Sequence, residues 1–528
     1  MHMLIVLSFL AASDDPPLAI RGATVVVEPG KSIENGTVVV RNGLIEAVGV
    51  DIPIPADAET LDGKGLIVYP GFIDAHSKYG LPDTKQSREQ LEARQGERPD
   101  FTRDPLLGMQ DANRKGLRPE LHAADLCVPS ESETKKWHSA GFATVLVAVD
   151  DEYLSGTSTV LSLNGRSRRG ALLLPGWAMH ASFRTYGEGY PRTLMGTIAH
   201  LKQFVLDAAT YRRSWEEYRS VPRGKTRPPV DPALDALWPL LENRQPLVFE
   251  ANSENDIHRA LTLADECGLH IIIAGGAEAD KLTKRLANIP VLLSLRFPEE
   301  PKKRKNDDRP KKLIDEETRQ WEERIRCAIK LEEARVRVAF TTFGLAPGDA
   351  LDNIQKLVER GLSRDAALAA LTRTPAEILG LTELGTIEPG KIASLTVLTA
   401  PLGEKKTKVR YLIADGRKFE FDVKKAGGAP PDVNLSGTWD LRVELPKIEA
   451  TMELKQTDAE LSGKIVTDHG ESEVTGSVSG RKFTLTGMFH GSEFTMEGEM
   501  KDEKLSGTVK TETGESGFSA AKPEGRDD

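Results

Sequence analysis

The feature that most constrains this fold is the alternation of short apolar runs with amphipathic segments over residues 70–381. The apolar runs are Phe72–Asp74, Ala143–Val149, Thr159–Leu163, Leu172–Leu174 or Trp177–Met179, Leu247–Phe249, His270–Ile273, Val291–Leu295 and Val336–Phe340. Apolar residues recur at helical spacing in Glu254–Cys267, Glu278–Ala287, Trp321–Ala334 and Asp349–Glu359. About eight strand–helix units predict an α/β fold built on a parallel, TIM-like (β/α)8 barrel.

The segments on either side of this region have a different texture. Leu18–Tyr69 and Gly385–Phe421 are rich in Val, Ile and Thr and are broken by Gly and Pro turns, which is typical of strands. A Gly/Pro-rich stretch follows, and from Leu435 to Ala521 short alternating strands carry the repeated phrase Leu-Ser-Gly. Regular strand–turn spacing predicts a separate C-terminal all-β domain, an antiparallel meander that forms either a barrel or a sandwich.

Composition narrows the function classes. A chain of 528 residues exceeds one compact core, so several domains are expected. The formal net charge of −10 argues against a nucleic-acid partner. Three widely spaced cysteines indicate neither a disulfide framework nor a cysteine-rich metal site.

The first residues predict export. Leu4–Ala12 is a short apolar run followed by small residues and then by polar sequence, which is typical of a secretory signal peptide cleaved near Ser13, although no Lys or Arg precedes the run. A disordered N-terminus is the alternative. No transmembrane segment is predicted in the mature chain, which is expected to be periplasmic or extracellular.

The motif that carries chemistry is Pro70-Gly71-Phe72-Ile73-Asp74-Ala75-His76-Ser77-Lys78, at the end of the first predicted barrel strand. It resembles the signature of the amidohydrolase superfamily, in which a strand ends in Pro-Gly-Phe-Ile-Asp-x-His-x-His. Residues two apart on a strand point the same way, so that two such imidazoles can share one divalent metal. Residues 22–25, 42–49, 62–65 and 385–393 resemble the family's flanking β segments, and 368–381 resembles its last barrel helix.

The resemblance implies that the two flanking segments form one composite β-sandwich beside the barrel. The expected boundaries are 1–13 for the signal peptide, 18–69 and 382–422 for the composite sandwich, 70–381 for the barrel, 423–434 for a linker, 435–521 for the C-terminal β domain and 522–528 for a disordered tail.

The same resemblance implies metal ligands from strands 1, 5, 6 and 8, and most are replaced here. Lys78 stands where the second strand-1 histidine would be, and Glu250 stands where relatives carry histidine. The strand-6 end, Ile273–Gly276, has no histidine, and the strand-8 end, Ala339–Gly344, has no aspartate. His76 remains as a residual metal-ligand position. A protonated ammonium cannot ligate a metal, so no cofactor is expected, with zinc or another divalent metal as the alternative.

Two further hypotheses concern the pocket. Lys78 and Glu250 have complementary charges at former ligand positions and are expected to form an ion pair there, with Asp74 supporting the strand-1 turn. Asp74, Lys78 and Glu250 are therefore the candidate catalytic or pocket-lining residues. Of the remaining histidines, His180 and His270 lie near barrel strands and are weaker candidates.

Three functions stay open at this point. The favoured one is a catalytically degenerate pseudoenzyme that binds a small-molecule or short-peptide ligand, or pairs with an active amidohydrolase paralogue or with itself. The second is an active, divergent amidohydrolase that cleaves cyclic amides or dipeptides through a modified or metal-free site. The third assigns the function to the C-terminal β domain.

Overall fold

The computed structural model divides the chain into two compact units, Met1–Val423 and Lys424–Asp528. The structure describes residues 16–82, 116–150, 152–185, 191–298, 300–301, 309–421, 432–444, 448–457, 460–467, 470–489, 492–501, 504–511 and 514–522. The predicted signal peptide, most of the predicted linker and nearly all of the predicted tail lie outside these ranges. Within them, no helix combines the length and the hydropathy needed to cross a membrane.

The first unit mixes strands and helices in the predicted alternation. Its strands are β1 (Leu18–Glu28), β2 (Lys31–Arg41), β3 (Leu44–Gly49), β4 (Glu59–Asp62), β5 (Ile67–Pro70), β6 (Phe72–Ser77), β7 (Phe142–Val147), β8 (Leu154–Thr157), β9 (Thr159–Ser162), β10 (Leu172–Leu174), β11 (Met179–Ser182), β12 (Leu247–Ala251), β13 (Ile271–Gly275), β14 (Val291–Ser294), β15 (Val338–Thr341), β16 (Leu395–Leu398), β17 (Val409–Ala414) and β18 (Arg417–Glu420). Its described α-helices are α1 (Ala123–Leu126), α2 (Glu131–Ser139), α3 (Arg168–Ala171), α4 (Leu194–Ser220), α5 (Pro232–Asp235), α6 (Trp238–Leu241), α7 (Glu254–Cys267), α8 (Lys311–Glu333), α9 (Ala350–Glu359), α10 (Arg364–Leu371) and α11 (Arg373–Leu379).

The two flanking segments contribute to one eight-stranded sheet, where the resemblance implied a composite β-sandwich. Its order is β18-β17-β16-β5-β1-β2-β3, with β4 also paired to β1. Strands β16–β18 come from the segment after the barrel, and they reach the N-terminal strands through the antiparallel pairing of β16 with β5.

Two sheets make up the TIM-like barrel: β10-β9-β7-β6 and β15-β14-β13-β12-β11-β8. Strands β11 to β15 run parallel to one another, as do β6 and β7. Two strands depart from the parallel arrangement of an ideal barrel: β8 pairs antiparallel with β11, and β9 pairs antiparallel with β7. Only six residues separate β7 from β8, and a parallel crossover needs a dozen or more.

The β12–α7–β13 unit shows how local sequence builds the barrel. Strand β12 is a short apolar run ending in Glu250-Ala251. The Ser253 side chain caps α7 by accepting a hydrogen bond from the backbone N–H of Asp256, and Gly268 ends the helix in the left-handed conformation. Apolar residues such as Ile257 and Leu261 are buried along one face of the helix. The unit therefore leaves Glu250 at the carboxyl end of its strand, where barrel enzymes place functional groups.

The second unit is an antiparallel barrel, so the meander predicted from the sequence closes on itself. Its strands are β19 (Gly437–Val443), β20 (Ile448–Thr457), β21 (Glu460–Thr467), β22 (Gly470–Ser479), β23 (Lys482–Phe489), β24 (Ser492–Lys501), β25 (Lys504–Thr511) and β26 (Gly514–Ala521). Each strand pairs with the next, and β19 pairs with β26 to complete the ring. Trp439 and Leu485 are fully buried in its core.

Close backbone contacts explain the recurring glycine of this unit. A Cβ atom at Gly463 would lie 1.9 Å from the carbonyl oxygen of Glu453, and one at Gly507 would lie 1.9 Å from that of Glu497. No side chain fits at such distances, so the glycines of the second and third Leu-Ser-Gly phrases lie where neighbouring strands approach too closely for any other residue. Gly437 of the first phrase differs, because a Cβ atom there would meet open space.

Candidate functional site

Asp74 on β6 is the centre of a fully paired buried cluster. Its carboxylate accepts hydrogen bonds from the backbone N–H and the hydroxyl of Thr342, at 3.0 and 2.5 Å, and from the indole Nε1 of Trp137 at 3.2 Å. The backbone N–H of His76 donates a fourth bond at 3.2 Å. The cluster ties β6 to the residue after β15 and to helix α2, and it closes the barrel between its first and last strands.

His76, two residues further along β6, has the opposite surroundings. It is 2% exposed, and neither of its ring nitrogens has a hydrogen-bond partner among the residues that the structure describes. Its ring stacks on Phe343 with centroids 4.3 Å apart, and it lies 5.2 Å from the ring of His180 on β11. Nε2 of His180 is also buried and unpartnered. Two imidazoles with unused nitrogens therefore lie side by side inside the barrel.

A chain of charges lies beside these rings. Nζ of Lys78 is 2.6 Å from Oδ1 of Asp150. A guanidinium nitrogen of Arg184 lies 3.9 Å from Asp150 and 3.9 Å from Glu250. Lys78 and Arg184 are nearly half exposed, whereas the Asp150 side chain is 9% exposed. The cations therefore reach in from the solvent side towards the more buried carboxylates.

The imidazoles and carboxylates meet in one small pocket at the carboxyl ends of the barrel strands. It is lined by His76, Asp150, Glu152, His180, Ser182 and Glu250, among others. Strands β6, β11 and β12 contribute His76, His180 with Ser182, and Glu250. The parallel pairing of β11 with β12 places Ser182 directly opposite Glu250.

Burial dominates the electrostatics of this pocket. It lowers the pKa of His76 to about 4 and holds the pKa of His180 well below its ordinary value, so both rings are neutral at neutral pH. Burial, followed by the nearby Asp150 charge, raises the pKa of Glu250, and Arg184 and Lys78 only partly oppose this. Burial also raises the pKa of Asp74 to about 6, against the pull of its four donors.

The sequence-predicted residues occupy distinct places around this pocket. His76 and Glu250 line it, Lys78 pairs with a carboxylate that lines it, and Asp74 sits in the adjoining buried cluster. The predicted direct Lys78–Glu250 ion pair is replaced by two pairs, Lys78 with Asp150 and Glu250 with Arg184. His270 is exposed just before β13, at the end of the strand away from the pocket.

Asp150 and Arg184 were not among the predicted residues. Asp150 had a usable signal, because it directly follows the apolar run Ala143–Val149, and carboxylates at the ends of barrel strands point towards the mouth. Arg184 follows β11 in the same way, but the strand assignment in that region was ambiguous. Its role appears only once β11 and β12 are seen to be neighbours.

The described donors do not fit the metal centre that the family resemblance implies. In the ranges that the structure covers, no three His, Cys, Asp or Glu side chains are grouped closely enough to hold a metal ion. At the strand-8 end, the hydroxyl of Thr342 donates a hydrogen bond to Asp74. At the second strand-1 position stands Lys78, whose ammonium has no lone pair for a metal. Glu250 and His76 are the only matches to the expected ligand positions that line the pocket.

Comparisons with known proteins agree with this architecture. Residues 257–419 match the sequence profile of the "Amidohydrolase family". A segment of 67 residues is 40% identical to dihydropyrimidinase 1 from Caenorhabditis elegans and covers 13% of either chain. A segment of 52 residues is 44% identical to a dihydroorotase from Aquifex aeolicus, covering 10% of this chain and 12% of that one. The alignments thus span only about an eighth of these curated relatives.

A solved structure extends the likeness to most of the chain. An amidohydrolase from Thermotoga maritima covers 76% of this chain and 100% of its own, with a TM-score of 0.62 and 24% identity. At this identity the likeness concerns the fold. The profile match begins within α7 and ends in β18 of the flanking sheet, whereas the strand-1 motif precedes it in the chain. The strand-1 motif thus resembles that of the amidohydrolase superfamily, residues 257–419 match the family's sequence profile, and the first unit has the fold of a solved amidohydrolase.

Proposed function

We propose that this protein is a catalytically degenerate amidohydrolase whose barrel binds a small molecule or short peptide without hydrolysing it. The observation that carries the proposal is the Lys78–Asp150 ion pair, with 2.6 Å between Nζ and Oδ1. An ammonium with three donors and no lone pair stands where the family's second imidazole would bind metal. The pocket holds its own cation in place of the one that activates water in such enzymes.

The strand-8 position supports the same conclusion. In the family an aspartate there is both ligand and base, and here Thr342 donates to Asp74 through its hydroxyl and its backbone N–H. A threonine hydroxyl is not a base at neutral pH. The carboxylate nearest to this position, Asp74, is occupied by four donors and is fully buried. Proton transfer to or from substrate therefore has no evident agent at this strand end.

The test is to measure metal content and turnover in the same full-length preparation. The purified protein is incubated with excess Zn²⁺ or Mn²⁺, freed of unbound metal and analysed by mass spectrometry. It is then assayed with a dihydropyrimidine, with dihydroorotate and with a Xaa-Pro dipeptide. We expect metal content well below one ion per chain and no turnover above that of His76→Ala. Stoichiometric metal with turnover that His76→Ala abolishes would overturn the proposal.

A divergent hydrolase is the second candidate, and one observation favours it. The unpartnered nitrogens of His76 and His180 are available to a metal, and three carboxylates line the same pocket. Such a site would assemble only after Lys78 or Arg184 released a carboxylate. Replacement of Lys78 by methionine, which removes the positive charge, distinguishes the two candidates. It increases metal retention if the pair blocks a latent site, and it leaves retention unchanged if the site is lost.

We also propose that the protein is exported, on the apolar run Leu4–Ala12 and the small residues after it. Expression of the full chain with a C-terminal tag, followed by fractionation and N-terminal sequencing, tests this. Cleavage near Ser13 and a periplasmic or extracellular product are expected. An uncleaved protein in the cytoplasmic fraction contradicts the proposal.

Self-association or pairing with an active paralogue is a further proposal, which light scattering with and without the paralogue tests.

A further inference from the structure

A cationic stretch lies at the end of the barrel away from the pocket. Residues 219–227, which we call the cationic loop, comprise the last two residues of α4 and the chain that follows, and they contain no Asp or Glu. The loop has four cations, all exposed: Arg219, Arg223, Lys225 and Arg227. Arg219 lies over the ring of Trp238 on α6. The neighbouring Pro239 carbonyl accepts a hydrogen bond from the backbone N–H of Gln245, two residues before β12. The cationic loop therefore lies towards the amino ends of the barrel strands, whereas the pocket lies at their carboxyl ends.

The described carboxylates do not neutralise the charge of this loop. On the same helix α4, Lys202 and Arg212 pair with carboxylates at 2.7 and 2.8 Å. Across the ranges that the structure covers, none of the four cations of the cationic loop forms an ion pair with a carboxylate. Lys225 donates instead to the backbone carbonyl of Glu217. In a chain whose net charge is −10, the loop is a local positive patch, and such a patch attracts anionic surfaces.

Aromatic rings hold two of the arginines at the surface. The Arg219 guanidinium lies 5.4 and 5.3 Å from the ring centroids of Trp215 and Trp238. The Arg227 guanidinium lies 5.5 Å from the Trp215 ring. Trp215 is 8% exposed and lies edge-on to Tyr211, so the support belongs to the folded protein. A guanidinium stacked on a ring keeps N–H groups at its edges for the oxygens of a phosphate. The two arginines are therefore positioned in advance for an oxyanion.

Two exposed valines lie beside these cations. Val221 is 56% exposed and lies within the cationic loop, and Val230 is 64% exposed and lies three residues after it. A soluble polyanion would neutralise the cations but offers no apolar layer to the valines. A bilayer with anionic headgroups offers both, and segments that lie in a membrane interface combine basic and apolar side chains in this way. The valines therefore favour a lipid surface as the partner.

We propose that the cationic loop, together with Val230, docks this protein on an anionic lipid surface. The guanidiniums contact headgroup phosphates, and the two valines enter the boundary between headgroups and acyl chains. Docking through this end leaves the pocket turned away from the lipid. The proposal does not depend on whether the barrel hydrolyses a substrate, because none of its residues lines the pocket.

Sedimentation of the full-length protein with vesicles tests this proposal. The vesicles contain phosphatidylcholine with or without about 30% phosphatidylglycerol, at low and at high salt. We expect binding to the anionic vesicles at low salt, and loss of that binding at high salt. Equal binding to both kinds of vesicle, as the apolar run Leu4–Ala12 alone would give, overturns the proposal. Binding to soluble polyglutamate that is as tight as binding to anionic vesicles assigns the loop to an acidic protein and also overturns it.

Charge variants assign the binding to the loop. A basic residue near an anionic bilayer contributes about fivefold in affinity, so Arg223→Gln with Arg227→Gln is expected to weaken vesicle binding about 25-fold. Arg319→Gln with Arg442→Gln is the matched control, because it removes the same charge from arginines that are paired with carboxylates elsewhere. If the loop variant is poorly folded by circular dichroism, Arg223→Gln alone replaces it, with an expected loss of about fivefold. Unchanged affinity in a folded loop variant, or an equal loss in the control, overturns the proposal.

Valine variants test the choice of lipid. Val221→Ser with Val230→Ser is expected to weaken binding to anionic vesicles several-fold and to leave its dependence on salt unchanged, because no charge is removed. Unchanged binding in this variant means that charge alone attaches the loop, and the lipid assignment fails. A protein that is metal-free and inactive but does not bind anionic vesicles keeps the degenerate-barrel proposal and loses this one. A protein that binds the vesicles and also hydrolyses a substrate with bound metal keeps only the docking surface.

Discussion

Asp74 and His76 lie two residues apart on one strand and are almost equally buried, yet their surroundings are opposite. Asp74 is 0% exposed and accepts four hydrogen bonds. His76 is 2% exposed, and its two ring nitrogens have no hydrogen-bond partner in the described part of the chain. The exposed fraction therefore does not distinguish the roles of these two residues, whereas the number of hydrogen bonds that their side chains make does.

The difference separates a polar group that holds the barrel together from one that faces a ligand. A satisfied buried carboxylate connects β6, Thr342 and Trp137, and removing it leaves several donors unpaired. An unsatisfied imidazole destabilises the free protein and is retained where function needs it. The two residues should respond oppositely to mutation and to acid.

The largest loss of stability is expected for Asp74→Ala. This change leaves the indole of Trp137, the hydroxyl and N–H of Thr342 and the N–H of His76 without their acceptor, and it leaves a cavity. The expected loss is about 3–5 kcal/mol in the free energy of unfolding, as for other broken buried networks. Urea denaturation at pH 7 measures it. Asp207→Ala on the exposed face of α4 is the control, and equal losses in both would contradict the structural role of Asp74.

A second prediction concerns acid. The pKa of Asp74 rises from 3.8 to about 6 on folding because of burial, so the folded state holds a proton that the unfolded state releases. The stabilisation that this proton gives the folded state is fully present below pH 3.8 and is lost as the pH rises through 6. The free energy of unfolding changes by about 3 kcal/mol over this range. The stability difference between wild type and Asp74→Asn is therefore expected to be larger at pH 4 than at pH 7.

Unfolding curves at pH 4, 5, 6 and 7 measure this difference. Subtracting the variant removes the contribution of all other titrating groups that the two proteins share. A difference that stays constant or grows towards pH 7 would show that Asp74 keeps its charge throughout the range.

A smaller loss in the free energy of unfolding is expected for Thr342→Val. The valine keeps the backbone N–H bond to Asp74 and removes the hydroxyl bond of 2.5 Å. A hydrogen bond to a charged group contributes about 2 kcal/mol, and the loss should diminish at pH 4, where the carboxylate is protonated. Thermal and urea unfolding at both pH values test this. A Thr342→Ser variant, which keeps the hydroxyl, should recover most of the loss at pH 7.

Much of this arrangement can be predicted from local sequence. Helix α7 begins and ends where its capping residues predict, at Glu254 and Cys267. The barrel, the flanking sheet and the C-terminal meander follow from apolar periodicity and from the strand-1 motif. The reversal of β8 and β9 does not, because an apolar run such as Thr159–Leu163 has the same pattern in either direction, and only the short connection before it indicates the turn back.

The site is less predictable for a physical reason. Which side chains share a pocket depends on which strands are neighbours, and that information is not local. Glu250 and Lys78 were found through a resemblance, but their actual partners, Arg184 and Asp150, come from strands whose pairing or end the sequence left ambiguous. The unpaired state of His76 and His180 is visible only when every neighbour is known.

The smallest effect at neutral pH is expected for His76→Leu, and its sign is the sharpest test of the comparison. Leucine removes two unpaired ring nitrogens but gives up the stacking on Phe343, so we expect stability at pH 7 to rise by up to about 1 kcal/mol. The pKa of His76 falls from 6.5 to about 4 on folding. The wild-type protein therefore loses stability as the pH falls from 6.5 towards 4, and the leucine variant is spared a loss of about 3 kcal/mol. Urea unfolding across this range should show a widening stability advantage for the variant. A variant that is less stable than wild type at every pH would mean that His76 supports the fold as Asp74 does, and the contrast between the two residues would fail.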